Sequence, residues 1–329
     1  MQEILAKFKE QQVLVFGDLI ADIYEFGLIR RLSREAPIPI VEYESEHLVP
    51  GGAGNVIANL NSLGGMAVPI SVIGCDEPGS KLLEHFKMKG IDTKGIINTP
   101  SLFTTTKRRI MAQCEHTVRQ QVFRMDRLPR EALDALTKNE IRAVFQEYLS
   151  SAKAVIFSDY HLPVFPKDFI MELAGLARRE QKKVIVDSRH RILEYQGVTL
   201  LTPNRSEAEE AVEFELRTIS DLEKAGAIIL EKTKAELLLI TLGDEGMFLY
   251  QSGEKGEHIP VYNKQDVFDV SGAGDTVVAA ISLGLLSGMS PLEAAKFANI
   301  AAGIVVRKLG TATVTVREIL NELNELPIG

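Results

Sequence analysis

The sequence predicts a doubly wound α/β fold with a mostly parallel central sheet. Short, unbroken apolar runs recur along the 329-residue chain, each followed by a turn and an amphipathic helical pattern. The runs are VLVFGD at 13–18, AVIFSD at 154–159, KVIVD at 183–187, VTLLTPN at 198–204 and ELLLITLGDEG at 236–246. Strands without polar alternation are typical of a parallel sheet that helices cover on both faces.

Polar residues and a glycine stand where these runs stop. They are Asp18, Asp159, Asp187, Asn204 and Gly243. Ligands of open α/β sheets bind beyond the carboxyl ends of the strands, so we expect the functional site at that edge.

Two stretches, 23–50 and 102–125, depart from this rhythm. They are rich in β-branched, aromatic and charged residues, which predicts strands outside the main sheet. Either they pair into a small β-strand lid over the mouth of the site, or they are two ordinary surface excursions. We expect a single domain over 1–329 that carries such a lid.

Composition excludes several classes of protein. The net charge of −8, from 37 basic and 45 acidic residues, argues against a nucleic-acid surface. Cys75 and Cys114 lack the spacing of a zinc site or a disulfide framework. The N-terminal segment MQEILAKFKEQQ is polar and charged, so we expect no signal peptide in it, and no apolar run is long enough to span a membrane. We expect a cytoplasmic protein with a small-molecule ligand.

The segment VFDVSGAGDT at 267–276 carries the strongest chemical signal. It joins a glycine-rich turn to an apolar helix, so the N–H groups of Gly272, Ala273 and Gly274 can face an anion. Asp275 at such a helix start is either a general base for a substrate hydroxyl or a helix cap. The residues alone leave both interpretations open.

Two further segments suggest a ligand. In PGGAGNVIANLNSLG at 50–64, the glycines allow close approach of a ligand and Asn55 opens a helix; a dinucleotide fingerprint is the competing interpretation. In GDLIAD at 17–22, a buried carboxylate can accept two sugar hydroxyls. We expect that role of Asp22, and we expect Asp18 to be a solvated turn residue.

Charged residues elsewhere have two interpretations each. Asn204 and Glu207, in TPNRSEAEE, either hold the water shell of Mg²⁺ or cap a helix. The stretch 102–125 concentrates cations that either bind a substrate phosphate or protect solvated strand edges. These cations are Lys107, Arg108, Arg109, Arg119 and Arg124.

Taken together, five motifs resemble the PfkB/ribokinase family of carbohydrate kinases, in the family's own order and over essentially the whole chain. They are GDLIAD, PGGAGNVIANLNSLG, TPNRSEAEE, TLGDEG and FDVSGAGDT. The resemblance implies a ribokinase-like body with a β-strand lid. It also implies transfer of the γ-phosphoryl of ATP to a sugar hydroxyl, with Mg²⁺ as cofactor.

The resemblance also implies site residues. Asp275 corresponds to the catalytic base, and Gly272, Ala273 and Gly274 to the anion hole. Sugar contacts are expected at Asp22, Gly51, Gly52 and Asn55.

The nucleotide and the cations have their own expected positions. Asn204 and Glu207 match a magnesium-linked motif of the family. Asp269 matches a position that in some relatives helps bind a monovalent cation, for which K⁺ is the candidate here. Nucleotide contacts are expected at Asn204, Thr241, Gly243, Gly246, Asn299 and Gly303.

A finer resemblance is to kinases of D-glycero-D-manno-heptose 7-phosphate, which act in ADP-heptose biosynthesis. It rests on SREAPIPIVE, on TTKRR followed by RQQVFRMDR, on VTLLTPNRSEAE and on ANIAAGIVVRKLGTATV. It implies that Lys107, Arg109 and Arg124 hold the sugar phosphate. Such enzymes often continue into a nucleotidylyltransferase domain; this chain stops at Gly329 without an HxGH-type motif, so we expect the kinase half alone.

The chain departs from that subgroup at two strand ends. SDYHLP stands where SDYGKG is usual, and VDSRHR where a DPKG-like segment is expected. A lysine is lost, which Arg189 could replace.

Three functions follow from the sequence. The first is a kinase of a heptose 7-phosphate at its anomeric hydroxyl; the second is a kinase of an unphosphorylated sugar or a nucleoside. The third is a sugar-responsive binding protein without catalysis. Exposed lid strands also predict a homodimer through the lid.

Overall fold

A nine-stranded sheet forms the centre of the protein, and a four-stranded sheet lies beside it. The computed structural model describes residues 2–114, 118–262, 269–308 and 310–324. The strands are β1 Gln12–Gly17, β2 Leu19–Leu32, β3 Pro39–Gly52, β4 Met66–Gly74, β5 Ile96–Thr99, β6 Thr105–Gln113, β7 Gln120–Arg127, β8 Ala154–Asp159, β9 Lys183–Ser188, β10 Leu200–Leu201, β11 Leu237–Thr241, β12 Met247–Gln251 and β13 Glu257–Ile259. The helices are α1 Gln2–Ala6, α2 Ala53–Ser62, α3 Glu77–Met88, α4 Ala135–Leu149, α5 Lys167–Arg179, α6 Arg205–Val212, α7 Ile219–Thr233, α8 Ala273–Leu286, α9 Pro291–Val305 and α10 Val316–Asn324.

The main sheet is parallel over most of its width. Its strand order is β13-β12-β11-β10-β9-β8-β1-β4-β5, and only β12 and β13 run antiparallel to their neighbours. The predicted strands at 13–18, 154–159 and 183–187 correspond to β1, β8 and β9. The run at 198–204 forms only the two-residue strand β10, and the run at 236–246 forms a strand only as far as Thr241.

Helices cover both faces of this sheet. Side chains of β1 alternate between two apolar clusters, because successive strand residues point to opposite faces. Val13 and Val15 pack with residues of α2, α8 and α9. Leu14 and Phe16 pack with residues of α4, α5 and α7 on the other face. This two-sided burial explains why the strands read as continuous apolar runs.

The sequence interpretation missed β4, the neighbour of β1. Its segment MAVPISVIG contains Pro69, and proline inside an apolar run argues against a central strand. Pro69 is nevertheless paired with Val15 of β1, while β5 begins to pair with β4 only at Ser71. The proline therefore precedes the part of β4 that has a neighbour on both sides.

The two irregular stretches form the second sheet, with strand order β3-β2-β6-β7. β2 and β3 are an antiparallel hairpin, β6 and β7 are another, and β2 joins them by parallel pairing with β6. Residues 115–117, between β6 and β7, lie outside the described residues.

Chain connections bring both sheets to the site. β2 starts two residues after β1 ends, and β3 runs directly into α2. One region of the protein therefore contains the end of β1, the start of β2, the end of β3 and the start of α2. Among the described residues no helix is long and apolar enough to cross a membrane.

Candidate active site

Asp275 is buried at the start of α8, and both of its carboxylate oxygens accept hydrogen bonds. Asn55 Nδ2 donates to Oδ2 at 2.9 Å, and the Tyr160 hydroxyl donates to Oδ1 at 3.0 Å. Burial raises the pKa of Asp275 to about 6, while the bonds from Asn55 and Tyr160 lower it. Such a carboxylate is ionised at neutral pH and can accept a proton.

Asp275 does not cap α8. Gly272 occupies the N-cap position, in left-handed conformation at φ 78°, and no side chain makes a capping bond there. A Cβ on Gly272 would overlap Asn55 Nδ2, so only glycine lets the turn approach Asn55 this closely. Residues 272–274 thus form the first turn of a helix, where N–H groups lack partners within the helix. Residues 267 and 268 of the loop motif lie outside the described residues.

Asn55 is itself held in place by Asn59, one turn further along α2. Asn59 Nδ2 donates to the Asn55 backbone oxygen at 3.0 Å and to Asn55 Oδ1 at 3.1 Å. Because its Oδ1 is engaged, the Asn55 amide is oriented with Nδ2 towards Asp275. The sequence interpretation named Asn55 but not Asn59, although their spacing of four on a helix was a usable signal.

Tyr160 is the main site residue that sequence reasoning missed. It directly follows β8, and its backbone N–H donates to Asp18 Oδ2 at 2.9 Å. Asp18 is buried, so the expectation of a solvated turn residue was wrong: the end of β1 lies between β4 and β8, inside the sheet. Burial, followed by repulsion from Asp159, raises the pKa of Asp18 to about 8.

The second sheet presents cations to the site. Lys107 and Arg109 alternate with Arg108 along β6, and Arg124 of β7 is paired with Arg109. Lys107, Arg109 and Arg124 therefore share one face. Arg108 points to the other face, where it pairs with Glu25 and Glu46. The Lys107 ammonium lies 5.3 Å from the centre of the Tyr160 ring.

Asp22 lies on the same face and is engaged by Arg109. The Arg109 guanidinium donates to Asp22 Oδ1 at 2.6 Å, and both side chains are almost fully buried. A Cβ on Gly51 would overlap Asp22 Oδ2, so glycine there leaves room for the carboxylate. Arg124 is more exposed and forms a bidentate pair with Asp126, at 2.8 and 2.7 Å.

A cavity of about 1000 Å³ opens beside Asp275. It lies at the carboxyl ends of the strands and is large enough for a nucleotide, since ligand pockets span about 300–1,000 Å³. All expected nucleotide contacts line it, together with the helix start at 272–274: Asn204, Thr241, Gly243, Gly246, Asn299 and Gly303. The expected sugar contacts are not among the residues that line this cavity; of these, Asn55 reaches Asp275 directly.

Asn204 and Glu207 form a capping box at the start of α6. Asn204 Oδ1 accepts from the Glu207 N–H at 3.0 Å, and Glu207 Oε2 accepts from the Asn204 N–H at 2.9 Å. The capping interpretation is therefore realised, yet both side chains also line the cavity. Asp187 lies there too, and burial, then Asp275 and Glu207, raise its pKa well above the ordinary range.

Asp269 fastens the loop before α8. Its Oδ1 accepts from the Ser271 N–H at 2.9 Å and its Oδ2 from the Gly310 N–H at 3.1 Å. Within the described residues, no cluster of three His, Cys, Asp or Glu side chains is placed to hold a metal ion.

Comparison with known proteins agrees with this geometry. The family model described as pfkB family carbohydrate kinase matches residues 10–318. The chain belongs to this family. It is an ATP-dependent carbohydrate kinase.

Curated relatives cover nearly the whole of this chain. Proteins named bifunctional protein HldE from Pelobacter propionicus and Geobacter sulfurreducens are 38% and 39% identical over 98% and 94% of this chain. The chain spans 65% and 62% of their lengths, just under two thirds.

Solved structures confirm the predicted ribokinase-like fold. Ribokinase of Arabidopsis thaliana, complexed with ribose and ATP, matches with a TM-score of 0.73 at 18% identity, over 96% of this chain and 99% of that one. Phosphofructokinase-2 of Escherichia coli, in complex with substrates and products, matches with a TM-score of 0.77 at 19% identity, over 94% and 97%.

Asp18→Asn should change how stability depends on pH. The pKa of Asp18 is about 8 in the folded protein, higher than the ordinary 3.8. The folded protein therefore favours protonated Asp18, and the contribution of this carboxyl to the free energy of unfolding is complete below about pH 4. That contribution is lost as pH rises towards 8, by at most about 1.4 kcal/mol per pH unit. The amide carries no charge and can still accept from Tyr160, so the variant should lose less stability between pH 5 and pH 8.

Urea unfolding at the two pH values measures this difference. Asp168→Asn, at an exposed carboxylate of α5, is the control and should behave like the unmodified protein. An identical pH dependence in all three proteins would show that Asp18 ionises normally in the fold.

Proposed function

We propose that this kinase phosphorylates the anomeric hydroxyl of a heptose 7-phosphate. The observation that carries the proposal is the row of cations at Lys107, Arg109 and Arg124, on the face of the second sheet that borders Asp275. A neutral sugar needs no such charge. A sugar that already bears a phosphate does, since guanidinium and ammonium groups are common phosphate ligands.

The arrangement suits a substrate with a phosphate at one end and a reacting hydroxyl at the other. Lys107 lies over the Tyr160 ring, and the hydroxyl of that ring contacts Asp275. Burial, then Arg189 and Arg124, lower the pKa of Lys107, while Asp22 raises it. Like charges held this close repel one another, and a bound phosphate would relieve that repulsion.

Transfer would use the chain's own groups as follows. Asn55 and Tyr160 orient the Asp275 carboxylate, which accepts the proton of the sugar hydroxyl. The N–H groups at 272–274 bind the oxygens of the γ-phosphoryl, and the positive end of the α8 dipole stabilises the charge on them. The second sheet acts as a lid that excludes water, so that ATP is not hydrolysed.

Magnesium fits the residues at the nucleotide side of the cavity. Asn204 and Glu207 would hold it through water, as Mg²⁺ usually keeps part of its water shell and takes only one or two carboxylates. When bound, the ion neutralises charge on the phosphates. Burial, then repulsion from Asp275 and Glu207, raises the pKa of Asp187, and a bound cation would relieve that repulsion. We also propose a monovalent cation at Asp269. The rate of ADP formation, measured with K⁺ and with a larger organic cation in its place, tests this site.

Glu207→Gln should raise the Mg²⁺ concentration needed for half-maximal rate. The change removes one negative charge, yet glutamine can preserve the capping box, so the melting temperature should stay almost constant. A magnesium titration of the rate measures the effect. If the magnesium requirement stays the same while the protein melts earlier, Glu207 is a cap and nothing more.

The second sheet also supports a homodimer. Its edge strand β7 is exposed along its whole length, with the large apolar side chains Phe123 and Met125 more than half exposed. Tyr43 of β3, on the other edge strand of this sheet, is also exposed, at 68%. Pairing of two such sheets would cover exposed apolar side chains, and the molar mass by light scattering tests the proposal.

One observation favours a kinase of an unphosphorylated sugar or a nucleoside instead. Arg109 and Arg124 already have carboxylate partners, Asp22 and Asp126, as they would in a site for a neutral acceptor.

The orientation of the Asp275 carboxylate by two hydrogen bonds argues against the third function, a binding protein without catalysis.

A comparison of two acceptors decides between these functions. ADP release should be faster with heptose 7-phosphate than with the same heptose lacking the phosphate. Lys107→Ala should lower kcat/KM for the phosphorylated sugar about ten- to a hundredfold, the effect of losing a charge-assisted contact of about 1.5–3 kcal/mol. The KM for ATP should change little.

Arg108→Ala is the matched control, because Arg108 is on the same strand but faces away from the site. Equal losses on both sugars in the Lys107 variant would indicate a disturbed lid. A preference of the unmodified protein for the unphosphorylated sugar would contradict the heptose phosphate assignment and leave the kinase in place.

A further inference from the structure

Arg189 directly follows β9 and lines the large cavity. Its backbone N–H donates to the Asp159 backbone oxygen at 3.0 Å, which fastens the end of β9 to the end of β8. The next residue, His190, is in left-handed conformation and packs edge-to-face on His161, with ring centres 5.6 Å apart. These contacts fix the backbone from which the arginine side chain extends.

The Arg189 side chain rests on Tyr160. Its guanidinium carbon lies 4.5 Å from the centre of the tyrosine ring. Tyr160 is anchored at both ends, by its backbone N–H, which donates to Asp18, and by its hydroxyl, which donates to Asp275. A cation on an anchored aromatic ring has its position defined before any ligand binds. The same ring therefore orients the Asp275 carboxylate and supports the arginine.

Unlike its neighbours, Arg189 has its donors available. In the described parts of the chain, no carboxylate lies within ion-pair distance of its guanidinium, whereas Arg109 and Arg124 are both paired. The side chain is exposed and lines the large cavity together with Gly272, Gly274 and Asp275. Its five N–H groups can therefore bind an anion in that cavity.

We propose that Arg189 binds the oxygens of the γ-phosphoryl while it is transferred, and so acts as a further catalytic residue. The inference rests on the kinase reaction with Asp275 as base. In that step the sugar oxygen forms a bond to the γ-phosphorus, and the bond from this phosphorus to the oxygen bridging it to the β-phosphate breaks. ADP leaves with the bonding electrons, and the proton of the sugar hydroxyl passes to Asp275. Negative charge on the transferred group then faces Arg189 on one side and the start of α8 on the other.

Arg189→Ala should lower kcat about a hundredfold or more, with the KM values for ATP and for the acceptor within about threefold of the unmodified protein. Arg189→Lys keeps the charge but not the planar fork, so its rate should be intermediate. Arg178→Ala is the control, since Arg178 is an exposed arginine on α5 at the opposite edge of the sheet. Guanidinium ion added to the Arg189→Ala variant should restore part of its rate, and it should do nothing for the Arg178 control.

A binding measurement tests the inference without knowledge of the acceptor. ADP with aluminium fluoride and Mg²⁺ imitates the transferred phosphoryl and should raise the melting temperature of the unmodified protein more than ADP and Mg²⁺ do. The Arg189→Ala variant should keep the effect of ADP and lose the extra effect of aluminium fluoride.

Three results would overturn the proposal. The first is a normal kcat in the Arg189→Ala variant. The second is a rise in KM for the phosphorylated sugar alone, which would assign Arg189 to the sugar phosphate. The third is an unchanged aluminium fluoride effect. Failure of the kinase assignment itself would appear separately, as absence of ADP release by the unmodified protein.

Discussion

The carboxylate of Asp275 is held between two hydrogen-bond donors in a buried position, and the rest of the site is arranged around it. Burial alone would favour the protonated form, which cannot act as a base. Asn55 and Tyr160 each donate to one oxygen and lower the pKa, so that it stays near 6. The acid is therefore ionised at neutral pH and has a defined orientation.

The fold supplies these two donors from distant parts of the chain. Asn55 comes from the first turn of α2, and Tyr160 from the end of β8. Gly272 lets the α8 turn approach Asn55, while Asp18 holds the Tyr160 backbone. Asp275 lines the nucleotide-sized cavity, and Tyr160 links it to Lys107 of the second sheet. The nucleotide-sized cavity and the cations of the second sheet thus both lie near the same carboxylate.

Much of this could be predicted from residue patterns, and the exceptions have physical reasons. Apolar runs indicated β1, β8 and β9, because parallel strands that helices cover on both faces are mostly apolar. Asp275 was a candidate from its place after a glycine turn, with a general base and a helix cap as its two interpretations. The bond from Tyr160 to Asp275 was not apparent, since 115 residues separate the partners and only the sheet topology brings them together.

Other contacts depend equally on the tertiary structure. Asp18 was expected to be solvated, but the neighbouring strands of β1 bury it. The pairing of Arg109 with Asp22 arises from the register of β2 and β6. Asn204 and Glu207 had two interpretations from their spacing, and the structure realises the capping box without removing either side chain from the cavity.

The pH dependence of kcat/KM for ADP formation tests the central claim, that Asp275 is the base, most directly. Activity should fall below about pH 6, the pKa of the buried carboxyl. Tyr160→Phe removes a donor that lowers this pKa, so its acid limb should lie at higher pH. Asp275→Asn should lose about a hundredfold or more of the rate and show no such limb. Near-normal turnover of the Asp275→Asn variant, with the same acid limb as the unmodified protein, would contradict the account.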